Sequence, residues 1–350
     1  MRELIDKLAD SHTLSRDEFK TLLSCDSPYL YERAQEAQQQ VYGNRIFMRG
    51  LIEFTSYCKN NCYYCGLRRD NANAERYRLT KEQILECCNT GHGLGFRTFV
   101  LQGGEDNYYT DDILAEIIRE IKTAYPDCAV TLSTGERSHE SYRRMFDAGA
   151  DRYLLRQETA NDEHYTTLHP PEMSLAARKK CLWDLKEIGY QVGCGFMVGL
   201  PGQTLDHIVD DLLFIKELDP EMVGVGPFLP HSSTPFAREK PGSLRLTLNV
   251  LAMMRLMKPK LMIPATTALG TIDNRGREFG VLAGANVVMP NLSPVEVREK
   301  YLLYDNKICT GDEAAECRFC IQNRMKAIGY DIVVSRGDYI DLQRKINENG

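Results

Sequence analysis

The sequence predicts an α/β fold, a closed (β/α)8 TIM-type barrel with an N-terminal helical extension and a C-terminal cysteine-bearing tail. Three observations predict it. Between residues 44 and 303, eight segments of strand character alternate with helical ones, which is the pattern of parallel βαβ units. Eight such units match a closed barrel. No G-x-G-x-x-G turn follows the first strand, which counts against the doubly wound open sheet as the alternative. The division that results is 1–43 for the helices, 44–303 for the barrel and 304–350 for the C-terminal segment.

Residues 1–43 read as two helices broken near Cys25-Asp-Ser-Pro28, with Leu4, Ile5 and Leu8, then Leu30, Ala34 and Ala37, at helical spacing. They are expected to form a lid or cap outside the barrel. The first strand covers 50–57. Thr80-Lys-Glu-Gln83 is a capping box that opens a helix to Leu94. The second strand, 97–102, runs into Gly103-Gly104-Glu105. Thr110, followed by Asp111 and Asp112, caps a helix with Ile113, Ile117 and Ile121 on one face. Strand three is Ala129–Ser133, with a helix through Met145. Strand four is Arg152–Arg156, followed by a helix over Ser174–Ile188. Strand five is Gln191–Val198, with a helix over Leu205–Leu218. Strand six is Met222–Pro227, leading through a Pro-containing loop to a helix over Leu246–Met257. Strand seven, Leu261–Ala265, precedes a helix near Arg277–Ala283. Strand eight, Asn286–Met289, precedes one over Pro294–Leu303.

The net charge of −6, with both signs interspersed, gives no electrostatic reason to expect a nucleic-acid partner. No apolar run approaches the ~18 residues that span a bilayer. The start, Met1-Arg-Glu-Leu-Ile-Asp-Lys7, carries charges where a signal peptide needs an apolar core. The expectation is a cytoplasmic protein with no membrane partner. Twelve cysteines in a chain this long do not read as a disulfide framework, which belongs to small secreted domains. Cys25, Cys87, Cys88, Cys128, Cys181 and Cys194 are scattered and read as small buried apolar side chains. The other six form two clusters. An exposed cluster and many thiols point to a reducing, low-oxygen cell.

The first cluster, Cys58-Lys-Asn-Asn-Cys62-Tyr-Tyr64-Cys65, has C-x3-C-x2-C spacing with an aromatic directly before the third cysteine. Three thiolates this close can hold three irons of a 4Fe–4S cluster and leave the fourth iron open to chelate a small molecule. Structural zinc is the competing reading, but it wants four protein ligands, and nothing nearby supplies the fourth.

Chemistry in such barrels sits at the C-terminal strand ends. After strand two, Gly103 and Gly104 let backbone approach a ligand, and Glu105 can accept from an ammonium; alone, this tripeptide is an ordinary turn. At the end of strand four, Arg156 and Glu158 alternate and so point the same way. Facing inward, they suit a ligand's hydroxyls and a carboxylate or other anion; facing each other, they are a structural ion pair. Arg178 lies on the following helix, where an arginine usually meets solvent. Met197 and Val198 end strand five and could pack on an aromatic ligand or simply fill the core. Thr266 and Thr267 end strand seven and offer two hydroxyls to an anion. In the tail, Cys309, Cys317 and Cys320 form C-x7-C-x2-C. This again fits an iron–sulfur corner, with zinc competing through Asp312, Glu313 or Glu316.

The first cysteine motif with its aromatic resembles the radical S-adenosylmethionine (SAM) superfamily. More narrowly, Arg49-Gly-Leu-Ile-Glu-Phe-Thr-Ser-Tyr-Cys58 through Asn71, Leu101-Gln-Gly-Gly-Glu105, Tyr153-Leu-Leu-Arg-Gln-Glu-Thr159, Met197-Val-Gly-Leu-Pro-Gly-Gln-Thr204, Val223-Gly-Val-Gly-Pro-Phe228 and Ile263-Pro-Ala-Thr-Thr267 resemble the HydE family of FeFe-hydrogenase maturases. That family is similar to biotin synthase and methylornithine synthase. The pattern for biotin synthase's internal 2Fe–2S cluster is missing, and the first cluster region and tail cysteines favour the maturases over methylornithine synthase.

The resemblance implies that Cys58, Cys62 and Cys65 ligate the cluster, and that Tyr64, Gln102, Gly103, Gly104, Glu105, Glu158, Arg178 and Met197 contact SAM. It implies that Thr131, Arg156, Thr266 and Thr267 line an anion or substrate site. The tail cysteines would form the family's optional second cluster. The implied chemistry is reductive cleavage of SAM to a 5′-deoxyadenosyl radical, acting on an iron–cysteine complex made by the maturase HydG and passed toward HydF, with a low-potential electron donor. Two other functions fit parts of the sequence: a radical SAM amino-acid mutase of the methylornithine synthase type, and a non-catalytic iron–sulfur scaffold or electron-transfer protein.

Overall fold

The computed structural model describes residues 1–311 and 314–340. Helices α1 (Arg2–Ser11), α2 (Arg16–Leu23) and α3 (Pro28–Tyr42) come first. The first barrel strand follows as β1 (Arg45–Met48) and β2 (Gly50–Thr55), then α4 (Lys81–Gly93), β3 (Thr98–Gly103), α5 (Asp111–Ala124), β4 (Ala129–Ser133) and α6 (His139–Asp147). Next are β5 (Arg152–Leu154), α7 (Asp162–Leu168), α8 (Leu175–Ile188), β6 (Gln191–Cys194), β7 (Met197–Val198) and α9 (Leu205–Leu218). The last third holds β8 (Met222–Val223), β9 (Gly226–Pro227), α10 (Leu244–Met257), α11 (Thr267–Ile272), α12 (Gly276–Leu282), β10 (Val287–Val288), α13 (Val295–Arg298), α14 (Ala314–Ala327) and β11 (Asp331–Val333).

The strands close into a parallel ring. β2, β3, β4, β5, β6 and β8 pair in that order. Residues 261–265 bridge β8 through Met222 with Met262, and β10 through Pro264 with Val287. β10 pairs with β1, which completes the circle. The seventh strand is reduced to these bridges, and Pro264 has no N–H to donate to a fuller ladder. The fifth and sixth predicted strands are each split in two. At the break, a Cβ on Gly195 would lie 2.0 Å from the Gly224 carbonyl oxygen, so only glycine lets the two backbones meet there.

The outer helices form where the sequence caps them. Thr80 with Gln83 makes a reciprocal box, and Thr110 accepts from the Ile113 N–H. On α5, Leu114, Ile117, Ile118 and Ile121 are buried against the ring. All six scattered cysteines are buried.

The N-terminal helices number three where two were predicted. α1 ends at His12 in a left-handed conformation (φ 56°), and α2 reopens with a Ser15–Glu18 capping box. They pack on the outside of the ring, α1 and α3 on α10 and α2 on α9. None of their residues lines the mouth cavity, so they buttress the outer ring rather than cover the mouth.

The C-terminal segment is built into both ends of the barrel. At the N-terminal end of the ring, β11 pairs with β1. The fully buried Arg152, at the start of β5, pairs with Asp338, and Gln191 donates to the same carboxylate at 3.0 Å. Thr98 donates to the Arg336 carbonyl at 2.7 Å. Residues 331–339 thus close the floor. Among the described residues, no helix is long and apolar enough to cross a membrane.

Candidate active site

A cavity of about 250 Å³ opens at the C-terminal end of the ring. Cys58, Cys62 and Cys65 reach it from the loop after β2, and Gly103, Gly104 and Glu105 from the end of β3. Arg156 and Glu158 follow β5, Arg178 comes from α8, Met197 from β7, and Thr266 from just before α11. Residues far apart in sequence meet here because every strand delivers its C-terminal end to the same face.

Backbone bonds shape the cysteine loop. The Lys59 N–H donates to Glu105 O at 2.9 Å, Tyr63 N–H to Leu168 O at 2.9 Å, and Gly66 N–H to Leu303 O at 2.9 Å. Arg76 gathers the carbonyls of Ser56, Leu67 and Arg68 at 2.5, 2.9 and 2.7 Å. Burial pushes the Cys58 thiol up; burial and the neighbouring Cys65 push Cys62 far up; burial and Cys58 push Cys65 up to about 12. The bare thiols therefore stay protonated at neutral pH, and taking up metal releases protons.

A tetrahedral zinc would draw its sulfurs to about 3.8 Å of one another. Among the described residues, only His92, Asp127 and Cys128 bring three candidate ligand atoms within 4.8 Å. The three motif thiols stand wider than one ion requires, while remaining on one wall of one cavity. Three soft thiolate donors facing one cavity suit a multi-iron cluster.

The neighbours of this wall leave room for a ligand. A Cβ on Gly104 would lie 2.2 Å from Tyr57 O and 2.7 Å from Cys58 Cβ. Glu105 faces Lys59 and Arg178, each at 3.4 Å. Arg178 is buried, not on a solvated helix face as expected of an arginine there. Burial disfavours its cation, but Glu105 and Glu136, with Tyr165 and Tyr64, outweigh that cost and hold its pKa well above the usual value. Burial pushes Glu136 up, partly countered by Arg178. Their atoms approach to 2.9 Å without an aligned hydrogen bond, a Coulombic contact only.

Tyr64 is fixed by His169. The His169 Nδ1 lies 3.0 Å from the Tyr165 carbonyl, which can only accept, so Nδ1 carries the proton. Nε2 then accepts from the Tyr64 hydroxyl at 3.1 Å. Burial pushes His169 down to about 3, which keeps it neutral.

Arg156 and Glu158 lie past the end of β5, not on a strand as predicted, yet both line the cavity. Their side chains approach to 3.0 Å, and neither Arg156 Nη2 nor Glu158 Oε2 makes an aligned hydrogen bond. Thr266 Oγ1 is likewise buried with no partner.

Three predicted residues sit elsewhere. Gln102 lies beside the cavity and donates to the Tyr301 hydroxyl at 3.4 Å. Thr131 does not line the mouth; it lines a deeper chamber of about 30 Å³ with Arg49, and its hydroxyl is buried and unpartnered. Thr267 turns away to accept from Arg277 at 3.3 Å, in a crevice lined also by Cys309 and Cys317. Alternation along a strand gives the side a residue faces, not its depth in the barrel.

Sequence reasoning missed Arg49, Glu136, Tyr301 and Tyr304. Arg49 had a signal, a lone charge in the apolar run Ile46-Phe-Met-Arg-Gly-Leu-Ile52. Tyr301 and Tyr304 had none, because the segment carrying them crosses the mouth only in three dimensions. In the tail, Cys317 is buried beside Cys309, and Arg277 donates to Cys309 Sγ at 3.6 Å; Cys320 is exposed. Asp312 and Glu313, two of the proposed zinc ligands, lie outside the described residues.

Residues 52–215 match the Radical SAM superfamily. The chain is 46% identical over 332 residues to the FeFe hydrogenase maturase subunit HydE of Thermotoga maritima, a match covering 94% of each chain. It is 33% identical over 309 residues to 3-methylornithine synthase of Methanosarcina acetivorans, covering 87% of each. The crystal structure of methylornithine synthase (PylB) is similar with a TM-score of 0.84 at 30% identity, covering 97% of this chain and 99% of that one. A cavity walled by three thiols at the mouth of a closed barrel agrees with these likenesses: the chain belongs to the radical SAM superfamily and, within it, to the HydE family of FeFe-hydrogenase maturases.

Proposed function

We propose that this chain cleaves SAM reductively at the barrel mouth and uses the resulting radical on a small anionic iron–cysteine complex during assembly of the diiron centre of FeFe hydrogenase. Cys58, Cys62 and Cys65 would hold a 4Fe–4S cluster with one iron left open for SAM. When bound, that cluster supplies the electron that splits SAM into methionine and a 5′-deoxyadenosyl radical. Around it, Tyr64, Gly103, Gly104, Glu105, Glu158, Arg178 and Met197 would bind and orient SAM, with Gln102 supporting from beside the cavity.

One observation carries the anionic substrate. At the mouth, Arg156 Nη2 and Nε and Thr266 Oγ1 are buried polar atoms with no hydrogen-bond partner in the protein, and Thr131 Oγ1 is another in the deeper chamber, out of reach of a ligand held at the mouth. Buried donors are normally satisfied, and a carboxylate- or cyanide-bearing complex would satisfy those at the mouth. Thr267, held by Arg277, would act from behind Thr266. HydG as supplier, HydF as acceptor and a low-potential electron donor complete the reading. Cys309, Cys317 and Cys320 would hold a second, optional cluster whose loss leaves SAM cleavage intact.

The test is anaerobic reconstitution with iron and sulfide, reduction, addition of SAM, and chromatography for 5′-deoxyadenosine. Formation that disappears in Cys62→Ser supports the reading. None from a fully loaded, reduced cluster would favour a scaffold or electron carrier instead. Adding the iron–cysteine complex separates the maturase from an amino-acid mutase: the maturase consumes the complex and the mutase does not.

A further inference from the structure

We propose that Gln157, gripped by the buried Asp211, is the positioning residue that sets Arg156 and Glu158 at the cavity wall. The inference rests on the reading above for what Glu158 meets, namely SAM. The geometry of the strand end carries the rest.

Two backbone bonds join the end of the fourth strand to the fifth: Leu155 N–H to Gly193 O at 2.9 Å and Glu158 N–H to Gly195 O at 3.0 Å. Between them the ladder is interrupted. The Gly195 N–H donates to the Gln157 side-chain oxygen at 2.9 Å, so an amide side chain stands in for a rung of the sheet. Because Oε1 accepts that bond, Nε2 must point the other way, and it donates to Asp211 Oδ1 at 2.9 Å. Gln157 and Asp211 are both fully buried. Gly195 itself has no room for a side chain, since a Cβ there would lie 2.0 Å from Gly224 O of the sixth strand.

This clamp has a strained neighbour. Glu158 adopts φ 68°, the left-handed region, which a non-glycine residue enters at a cost of about 1 kcal/mol or more and keeps only when its surroundings enforce it. The reversal brings Glu158 back to 3.0 Å from Arg156, with both side chains on the cavity. Gln157 lies between them in sequence. Neither Gln157 nor Asp211 lines the cavity, so their effect on a ligand must pass through Arg156 and Glu158. Asp211 belongs to α9, so the clamp ties the wall of the mouth to the outer ring.

The experiment uses the reconstituted holoenzyme and SAM, reading the SAM Kd by calorimetry, KM and kcat for 5′-deoxyadenosine, and the melting temperature. Gln157→Leu is expected to raise the SAM Kd and KM by about tenfold or more, the worth of one charged hydrogen bond to a ligand, with a smaller effect on kcat. Asp211→Ala should do the same, and Asp211→Asn should restore binding, because its amide oxygen still accepts from Gln157. In a Glu158→Ala background, Gln157→Leu should add little, since both act through one contact. Lower melting temperatures with an unchanged SAM Kd, no rescue by Asp211→Asn, or full additivity with Glu158→Ala would each overturn the positioning role while leaving the proposed function standing. A wild-type holoenzyme that does not bind SAM would overturn both.

Discussion

Lys307 Nζ lies 2.6 Å from Glu53 Oε1, with the two side chains only 7% and 1% exposed. The pair ties the segment that crosses the barrel mouth to the first strand beneath it. Glu53 also accepts from Asn291 at 2.8 Å, and Lys307 donates to Tyr301 O at 2.9 Å. Removing one partner of a buried pair strands the other charge, so Lys307→Ala should destabilise the protein by about 3–5 kcal/mol. Glu53→Gln with Lys307→Met should recover most of that. Denaturant midpoints of the three proteins check it, and a loss in Lys307→Ala below 1 kcal/mol would sink the argument.

The floor of the barrel depends on Asp338. Burial pushes its carboxyl up, but Arg152 and Arg336 outweigh burial and hold it well below the usual carboxylate range. A carboxyl depressed in the folded state contributes stability above its unfolded pKa of about 3.9 and loses it as pH falls through the folded value. Asp338→Asn should therefore cost about 3 kcal/mol or more at pH 6, because Arg152 is left without its counter-charge. The gap to wild type should narrow steadily as the pH is taken below 4. Unfolding curves across acid pH would show a constant gap if the pairing were unimportant.

What the sequence made legible was local. Cys58, Cys62 and Cys65 sit on one loop, so their convergence needed only spacing. The helices capped by Thr80 and Thr110 announced themselves within four residues. What it hid was long-range. The strand breaks at Gly195 and between Val223 and Gly226 arise where two strands approach, which neither strand shows alone. The floor built by Arg336 and Asp338, and the mouth crossing by Tyr301 and Lys307, pair residues that lie about 150 to 250 positions from their partners. Arg178 could be named only through resemblance. Its helix carries no pattern that separates it from a solvated arginine, and its burial comes from reaching the cavity wall between Glu105 and Glu136.

Gly104 tests whether room, rather than hydrogen bonding, governs the wall that carries the three cysteines. A methyl there would press on Tyr57 O and Cys58 Cβ, and overpacking of this kind costs about 1–3 kcal/mol locally. Gly104→Ala should lower the melting temperature of the metal-free chain by a few degrees and also lower iron bound per chain after reconstitution. Normal iron content with normal visible absorbance would show that the loop can yield, and would remove the close-approach argument.

Asp211 carries a pH signature of its own. Burial, only partly offset by the hydrogen bond from Gln157, pushes its carboxyl up to about 8. Unfolded, it titrates near 3.9. Between those values the native state holds a proton that the unfolded state has released, so stability falls as pH rises, at roughly 1.4 kcal/mol per unit while both limits are well separated. The penalty is absent below about pH 4 and complete above the folded value. Asp211→Asn cannot ionise and lacks this slope. Its stability relative to wild type should climb from pH 5 to pH 8 and then level off, as read from paired denaturant curves. Parallel curves for the two proteins over that range would mean that Asp211 is already ionised in the folded chain, with Gln157 stabilising a carboxylate rather than an acid.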